Sequence, residues 1–201
     1  MSDQVPYAVT LDVNIYLTVA RELGAGFSLA DFYGRVKAAQ QSGNDVFCLF
    51  ATLLAPHPDG GKIEIWTGEH IVKTALYKAR QPSQGSRSEA TGLGWTPADS
   101  QCIADLVMDL KTLTGGGFLL QDGTYFHPPM DYEDGCVMQC AKKAHSDSGL
   151  CKRICITYDK EMIIASRRAR EVEVLSPEAW CARVKMIRRS RQIARIRGNA
   201  Q

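Results

Sequence analysis

Five acidic side chains end predicted strands or begin the helices that follow them. They are Asp12, Glu69, Glu133, Asp134 and Asp159. In a sheet of parallel strands, functional groups collect beyond the carboxyl ends of the strands, so we expect these carboxylates to share one crevice. Carboxylates gathered in this way repel one another unless a cation neutralises them, and hard oxygen ligands suit Mg²⁺ or Mn²⁺. Such an ion polarises a phosphate and lowers the pKa of a bound water, which is the chemistry of phosphodiester hydrolysis.

Each of these acids also has a purely structural explanation. An acidic residue in the first turn of a helix is stabilised by the helix dipole, which accounts for Glu69, Glu133 and Asp134 taken singly. An aspartate at the end of a strand can cap the next helix, which accounts for Asp12 and Asp159. The occurrence of acids at all four of these strand–helix junctions is harder to explain structurally and favours a functional crevice.

The elements that position these residues alternate between short strands and helices. Apolar runs rich in β-branched residues predict strands at 5–12, 62–66, 118–120, 154–158 and 172–175. Helical spacing and capping residues predict helices between the strands and after the last one, whereas residues 46–54 fit either a strand or a helix. The order β-α-α-β-α-α-β-α-β-α-β-α predicts a three-layer α/β/α sandwich with a mostly parallel sheet of four to five short strands.

Length and composition indicate one globular domain followed by a short basic segment. The 201 residues are 45% hydrophobic and 23% charged, which excludes a disordered chain, and no apolar run is long enough to span a bilayer. We expect a domain over residues 1–180, with a mobile loop at about 81–95, and a basic helix or tail over 181–201. The N-terminus lacks the basic and apolar regions of a signal peptide, which predicts a cytoplasmic protein.

The cysteines are consistent with that compartment. Their number is seven, and an odd count without a secretion signal favours reduced thiols. Cys136 with Cys140, and Cys151 with Cys155, could be imagined as a zinc site, but both spacings are Cys-x3-Cys where structural zinc turns use Cys-x2-Cys. Small buried thiols on core faces are the simpler interpretation.

Positive charge is concentrated at the C-terminus. The formal net charge of +2 divides into −5 over residues 1–180 and +7 over residues 181–201. The basic residues of the segment are Arg183, Lys185, Arg188, Arg189, Arg191, Arg195 and Arg197. Arginine binds phosphate through a planar, bidentate fork, so the segment is predicted to contact nucleic-acid phosphates and deliver RNA or DNA to the acidic site. A surface for an acidic partner protein and a solvated helix end are the alternatives.

Four segments together resemble the PIN-domain nucleases. They are VTLDVNIYL, DYEDGCVMQCAKKA, ICITYDKEMI and EVEVLSPEAW, which occur in the family's order, and the similarity extends over most of residues 5–182. The resemblance implies the α/β/α fold and a metal-dependent endoribonuclease. It also implies RNA as the substrate, and the toxin of a toxin–antitoxin pair as one role, with an antitoxin protein and a second copy of the chain as further partners.

The resemblance assigns roles to individual residues. Asp12, Asp134 and Asp159 would hold Mg²⁺ or Mn²⁺. Asn14 would orient the loop of the first aspartate, although it could equally cap a helix. Thr157 would lie beside the metal-bound water, although a β-branched residue is also ordinary in a strand.

One motif of the family is displaced. The family usually has a glutamate near the middle of the helix after the second strand, where this chain reads TGEHIVKTALYKAR and has Lys73 or Thr74 at the expected place. Glu69 lies one turn earlier, and Glu133 beside Asp134 could compensate for the loss. The alternative function is therefore a PIN-like module for nucleic-acid binding or assembly with an inactive site. A phosphohydrolase acting on small molecules is a third hypothesis.

Overall fold

A computed structural model of the chain describes residues 5–42, 45–83, 92–120, 130–145, 149–168 and 170–198. Most of the loop expected at 81–95 lies outside these ranges, as does His127, the histidine nearest the acidic pair in the sequence. Within the described residues, five strands and eight α-helices follow the order that the sequence predicts, with one additional helix between the first and second strands.

The strands are short and the helices between them vary in length. The strands are β1 (Tyr7–Leu11), β2 (Ile63–Gly68), β3 (Phe118–Leu119), β4 (Lys152–Ile156) and β5 (Glu173–Leu175). The helices are α1 (Val13–Leu23), α2 (Leu29–Ser42), α3 (Val46–Leu53), α4 (Glu69–Arg80), α5 (Pro97–Thr114), α6 (Tyr132–Lys143), α7 (Lys160–Ala165) and α8 (Pro177–Gly198). A 3₁₀ turn over Ser166–Arg168 follows α7.

The five strands form one parallel sheet in the order β3-β2-β1-β4-β5. Helices flank this sheet, which confirms the predicted α/β/α sandwich. Because the strands are parallel, their carboxyl ends share one edge, the carboxyl edge, and their starts share the opposite amino edge. The strand order reverses between β1 and β4, and in such sheets ligands bind in the crevice at that reversal.

Short polar side chains begin several of these helices. Thr96 accepts a hydrogen bond from the Asp99 amide, and Asp131 accepts one from the Asp134 amide. Asp159 caps α7 in the same way by accepting from the Met162 amide. These side chains satisfy amide groups that have no partner inside the helix, which fixes where each helix starts.

The ambiguous segment at 46–54 is the helix α3. Asp45 caps it by accepting from the Cys48 amide, and the residues from Val46 to Ala51 are all buried. A helix that is apolar on every side has no periodicity from which its type can be predicted, and it belongs in the core. Phe47 and Phe50 both pack against Phe32 of α2 there.

The last helix, α8, begins at the carboxyl edge and runs back past the amino edge. Trp180 is fully buried, and its indole donates to Thr52 Oγ1 of α3 at 2.9 Å. One turn later, Arg183 forms a bidentate ion pair with Glu173, the first residue of β5. α8 is continuous across the boundary expected near residue 180. None of the helices in the described residues is both long and apolar enough to cross a membrane.

Candidate active site

Asp12 lies at the carboxyl edge, immediately after the central strand β1, and is only 4% exposed. Its Oδ1 accepts from the Val13 amide at 2.6 Å, and its Oδ2 accepts from Thr157 Oγ1 at 2.6 Å and from Asn14 Nδ2 at 2.5 Å. Burial raises the pKa of this carboxyl to about 6, although the hydrogen bonds from Thr157 and Val13 favour its ionised form. Asp12 is therefore held in a fixed orientation at the reversal of strand order.

Asn14 and Thr157 join the ends of β1 and β4. Asn14 Nδ2 also donates to Thr157 Oγ1 at 2.8 Å, and Asn14 Oδ1 accepts from the Tyr158 amide at 3.2 Å. Thr157 Oγ1 accepts in turn from the Asp159 amide at 2.9 Å. Asp12 caps α1, so Asn14 is not the helix cap that was its alternative interpretation. Asn14 and Thr157 thus hold Asp12 and the loop before Asp159 in place.

Asp134 is half-buried in the first turn of α6, facing the same crevice. Its pKa is raised to about 7, first by burial and then by the negative charges of Asp131, Asp12, Asp159 and Glu133. Asp134 is therefore electrostatically coupled to Asp12 and Asp159 across the crevice. That these three carboxylates share one cation stays a prediction.

The two predicted glutamates have different surroundings. Glu69, at the start of α4, pairs with Lys73 at 2.6 Å on the helix surface, and no described contact links its carboxylate to the aspartates. Glu133 pairs with Lys78 of α4 at 2.5 Å, and its charge adds to the raised pKa of Asp12. Glu133 therefore lies at the border of the crevice, whereas Glu69 lies on the surface of α4 outside it.

Lys78 is the residue of this site that sequence reasoning missed. It follows His70 and Thr74 at intervals of four residues, so these three side chains share the face of α4 directed at α6. His70 Nε2 is 3.2 Å from Thr74 Oγ1, and its ring packs edge-on against Tyr132. The face that was expected to supply a glutamate supplies a cation instead. The four-residue spacing was visible in the sequence, but the direction of that face was not.

The donor chemistry of the crevice fits a hard divalent cation. Asp12, Asp134 and Asp159 offer carboxylate oxygens, and a cation would relieve the repulsion that raises the pKa of Asp134. In the described part of the chain, however, no group of three or more His, Cys, Asp or Glu side chains is arranged so that it could hold a metal ion. An ion would therefore have to draw the side chains of Asp134 and Asp159 towards Asp12.

Arg183 and Arg191 of α8 lie towards the amino edge, away from these acids, whereas Lys185 lines a pocket with Tyr158, which follows β4. Arg183 is neutralised by Glu173 at the amino edge. Arg191 donates to the backbone carbonyl of Asp59, whose carboxylate accepts from Tyr7 at the start of β1. The remaining basic residues are exposed, and they are Lys185, Arg188, Arg189, Arg195 and Arg197. The helix is therefore not placed to pass a phosphate directly to Asp12.

All seven cysteines are free thiols. Cys48, Cys136, Cys140 and Cys155 are buried, and burial raises the pKa of Cys140 to about 12. These are the surroundings of small core side chains, which suits the simpler of the two interpretations.

No known family model, curated protein or solved structure matches this chain. The interpretation of the crevice therefore depends on its own geometry. That geometry is a buried, oriented carboxylate at a strand-order reversal, with a second carboxylate, Asp134, whose pKa is raised by burial and by neighbouring negative charges.

Proposed function

We propose that the chain is a metal-dependent endoribonuclease of the PIN type that hydrolyses RNA phosphodiesters at the carboxyl edge. The observation that carries the proposal is the Asp12 network. A carboxylate that is 4% exposed, fixed by Asn14 and Thr157 and adjacent to other acids costs stability, and such arrangements cluster at functional sites.

Each residue of the crevice has a role in this proposal. Asp12, Asp134 and Asp159 would hold Mg²⁺ or Mn²⁺, which supplies Lewis-acid activation of a water and of the phosphate. Asn14 and Thr157 occupy Oδ2 of Asp12, which leaves the second lone pair of Oδ1 available because, among the described residues, that atom accepts only from Val13. The crevice is electronegative without a cation, and it would repel a phosphodiester in that state.

Replacing Asp12 is the direct test. With Mn²⁺ and a single-stranded RNA, we expect wild-type protein to cleave and Asp12→Asn to lose at least about 100-fold in rate, since one oriented ligand of the ion is removed. Asp105→Asn on α5 is the matched control, because Asp105 is an exposed helical aspartate whose one described hydrogen bond is from Gln101. It should cleave at the wild-type rate.

Two results would contradict the proposal. One is Asp12→Asn cleaving RNA as fast as wild type, which would identify the cleavage as a contaminant. The other is wild-type cleavage that EDTA does not reduce, since the carboxylate crevice would then have no need of a cation.

A second candidate function is favoured by Lys78. Its ammonium pairs with Glu133 and lowers the pKa of Asp12 through its charge, so part of the neutralisation expected from a metal is already supplied by the chain. On this interpretation the chain is a PIN-like module that binds nucleic acid with an inactive site. Purified protein that binds RNA but never cleaves it with Mn²⁺, and that gains no stability from Mn²⁺, would favour this candidate.

A further inference from the structure

Three arginines of α8 line one groove at the amino edge. Arg188, Arg191 and Arg195 follow at intervals of three and four residues, so their side chains share one face of the helix. Together with Gln192 and with Pro58 of the loop before β2, they enclose an open groove of about 450 Å³. We call this the arginine groove.

The groove carries the positive charge of three arginines. In the described part of the chain, none of its three arginines lies within ion-pair distance of a carboxylate. Arg183, which precedes the first groove arginine by more than one turn of the same helix, is by contrast neutralised by a bidentate pair with Glu173. Repulsion among three neighbouring guanidinium groups favours an anionic occupant.

The groove is also held in shape. Arg191 Nη2 donates to the backbone carbonyl of Asp59 at 2.9 Å, which orients the guanidinium without neutralising it. The Asp59 carboxylate is directed elsewhere, accepting from Tyr7 Oη, from the Gly61 amide at 2.9 Å and contacting His57 Nδ1 at 2.5 Å. A locked loop therefore forms one wall, so less conformational freedom is lost when a ligand binds.

The shape of the groove favours a flexible single-stranded nucleic acid over a membrane surface. Met186, Ile193 and Ile196 are the exposed apolar residues of this part of α8, and they lie roughly 105–175° around the helix from the mean direction of the three groove arginines at 100° per residue. A membrane surface is flat and needs apolar and basic residues side by side, whereas the three groove arginines lie against Pro58 and on the opposite side of the helix from Met186 and Ile193. A flexible single strand can enter such a groove.

We propose that the arginine groove is an anchoring site for the phosphate backbone of single-stranded RNA, separate from the acidic crevice. The five residues of β1 span about 17 Å, and the helix from Arg183 to Arg191 adds about 12 Å beyond the amino edge. The two sites are thus roughly 30 Å apart. The identity of the ligand as substrate RNA rests on the proposed function, but the binding itself does not.

The test compares two double variants by binding. With EDTA present to prevent cleavage, a labelled 30-nucleotide single-stranded RNA is titrated and followed by fluorescence anisotropy. We expect Arg188→Gln with Arg195→Gln to weaken binding at least about tenfold and to reduce the slope of log K against log salt by about 1.4, which is two lost phosphate contacts. Arg189→Gln with Arg197→Gln removes the same charge from the outer face and should cost less than about threefold.

Equal losses in the two double variants would overturn the proposal, because the groove would then matter only through total charge. Binding to phosphatidylglycerol vesicles that is tighter than RNA binding and equally sensitive to Arg188 and Arg195 would overturn it in favour of a membrane.

A cleavage experiment with Mn²⁺ separates the two proposals. The groove variant should lose at least about tenfold in kcat/KM on the 30-mer and nothing on a four-nucleotide RNA, which is too short to reach both sites. If no protein cleaves either RNA, the proposed function fails while the binding result stands.

Discussion

Asp12 serves the fold and the crevice at once, because the carboxylate that caps α1 is also the most buried acid of the candidate site. Three donors hold its two oxygens, yet burial keeps its pKa at about 6. A group whose charged form is disfavoured in the folded state lowers the stability of that state wherever it is ionised. The crevice therefore costs the fold stability at neutral pH, which is a common property of functional sites.

The stability that the fold loses through the ionised carboxylates of the crevice can be measured at Asp134. Its pKa rises from 3.8 to about 7 on folding, so the destabilisation is absent below pH 4 and complete above pH 7. We expect Asp134→Asn in EDTA to raise the free energy of unfolding at pH 8 by about 1–2 kcal/mol, a value reduced for solvent screening because Asp134 is half-exposed. Urea unfolding at pH 8 and pH 4 measures it, and the gain should vanish at pH 4.

Asp105→Asn, the exposed control, should change stability by less than about 0.5 kcal/mol at either pH. Adding Mn²⁺ should stabilise wild type more than Asp134→Asn, because an ion that binds only the folded state stabilises it by mass action. If the variant is no more stable than wild type at pH 8, the charges of Asp12 and Asp159 do not raise the pKa of Asp134.

The residue types that form the crevice were predictable, but their partners were not. Asp12, Asn14 and Thr157 stand out because each is polar at the end of an apolar strand or next to it. Lys78 does not, since a lysine in a helix is ordinary and only the packing of α4 beside α6 directs it at Glu133. Glu69 looked equivalent to the other acids because sequence distance does not show that Lys73 holds it on the surface.

Glycines decide how the edge strand β3 meets the sheet. Gly115 ends α5 with a φ of 68°, the left-handed conformation that glycine adopts readily. At Gly116 an added Cβ would lie 1.9 Å from the Ile65 carbonyl oxygen of β2. The chain can therefore pass from α5 into β3 only if this position has no side chain.

Gly116→Ala should accordingly lower the free energy of unfolding by about 2–3 kcal/mol, because backbone has to move to admit the methyl group. Gly34→Ala provides the matched control on α2. A Cβ there meets nothing within 4 Å, and alanine in a helix interior is favoured over glycine by about 0.5–1 kcal/mol. Thermal unfolding should show opposite shifts, and a stable Gly116→Ala would contradict the described turn.

Elements with a clear period or a clear cap were predictable from the sequence, and α3 was not. Thr96, Pro97 and Asp99 together identify the start of α5, since each satisfies a known requirement of a helix N-terminus. The segment from Val46 to Leu53 is apolar throughout, so neither period can be detected in it. Its helical form is decided by tertiary burial, which single-sequence patterns do not contain.

At the scale of the whole molecule, α8 belongs to the domain in its first half and projects from it in its second. Trp180 and Val184 are fully buried, whereas every residue from Arg188 to Arg197 is exposed. The sequence showed the change in charge near residue 181 but not that one continuous helix spans it. A boundary in composition is thus not a boundary in structure here.

Trp180→Ala should therefore destabilise the entire domain, by about 3–5 kcal/mol, because it empties a core position and removes the hydrogen bond to Thr52. Ile193→Ala on the exposed half should change stability by no more than about 0.5 kcal/mol. Urea unfolding followed by circular dichroism should show one cooperative transition for both variants. Loss of helix signal in a separate early step would instead identify α8 as a detachable appendage.

The separation of charge between the two edges gives the molecule a large permanent dipole moment. The crevice at one end is negative, and α8 at the other carries the basic excess of residues 181–201. In solution at low ionic strength, such a particle rotates in the field of an approaching polyanion so that its arginine end leads. First contact with a nucleic acid would thus be an oriented collision. The frequency of such collisions should fall steeply as added salt shortens the range of the electric field that rotates the molecule.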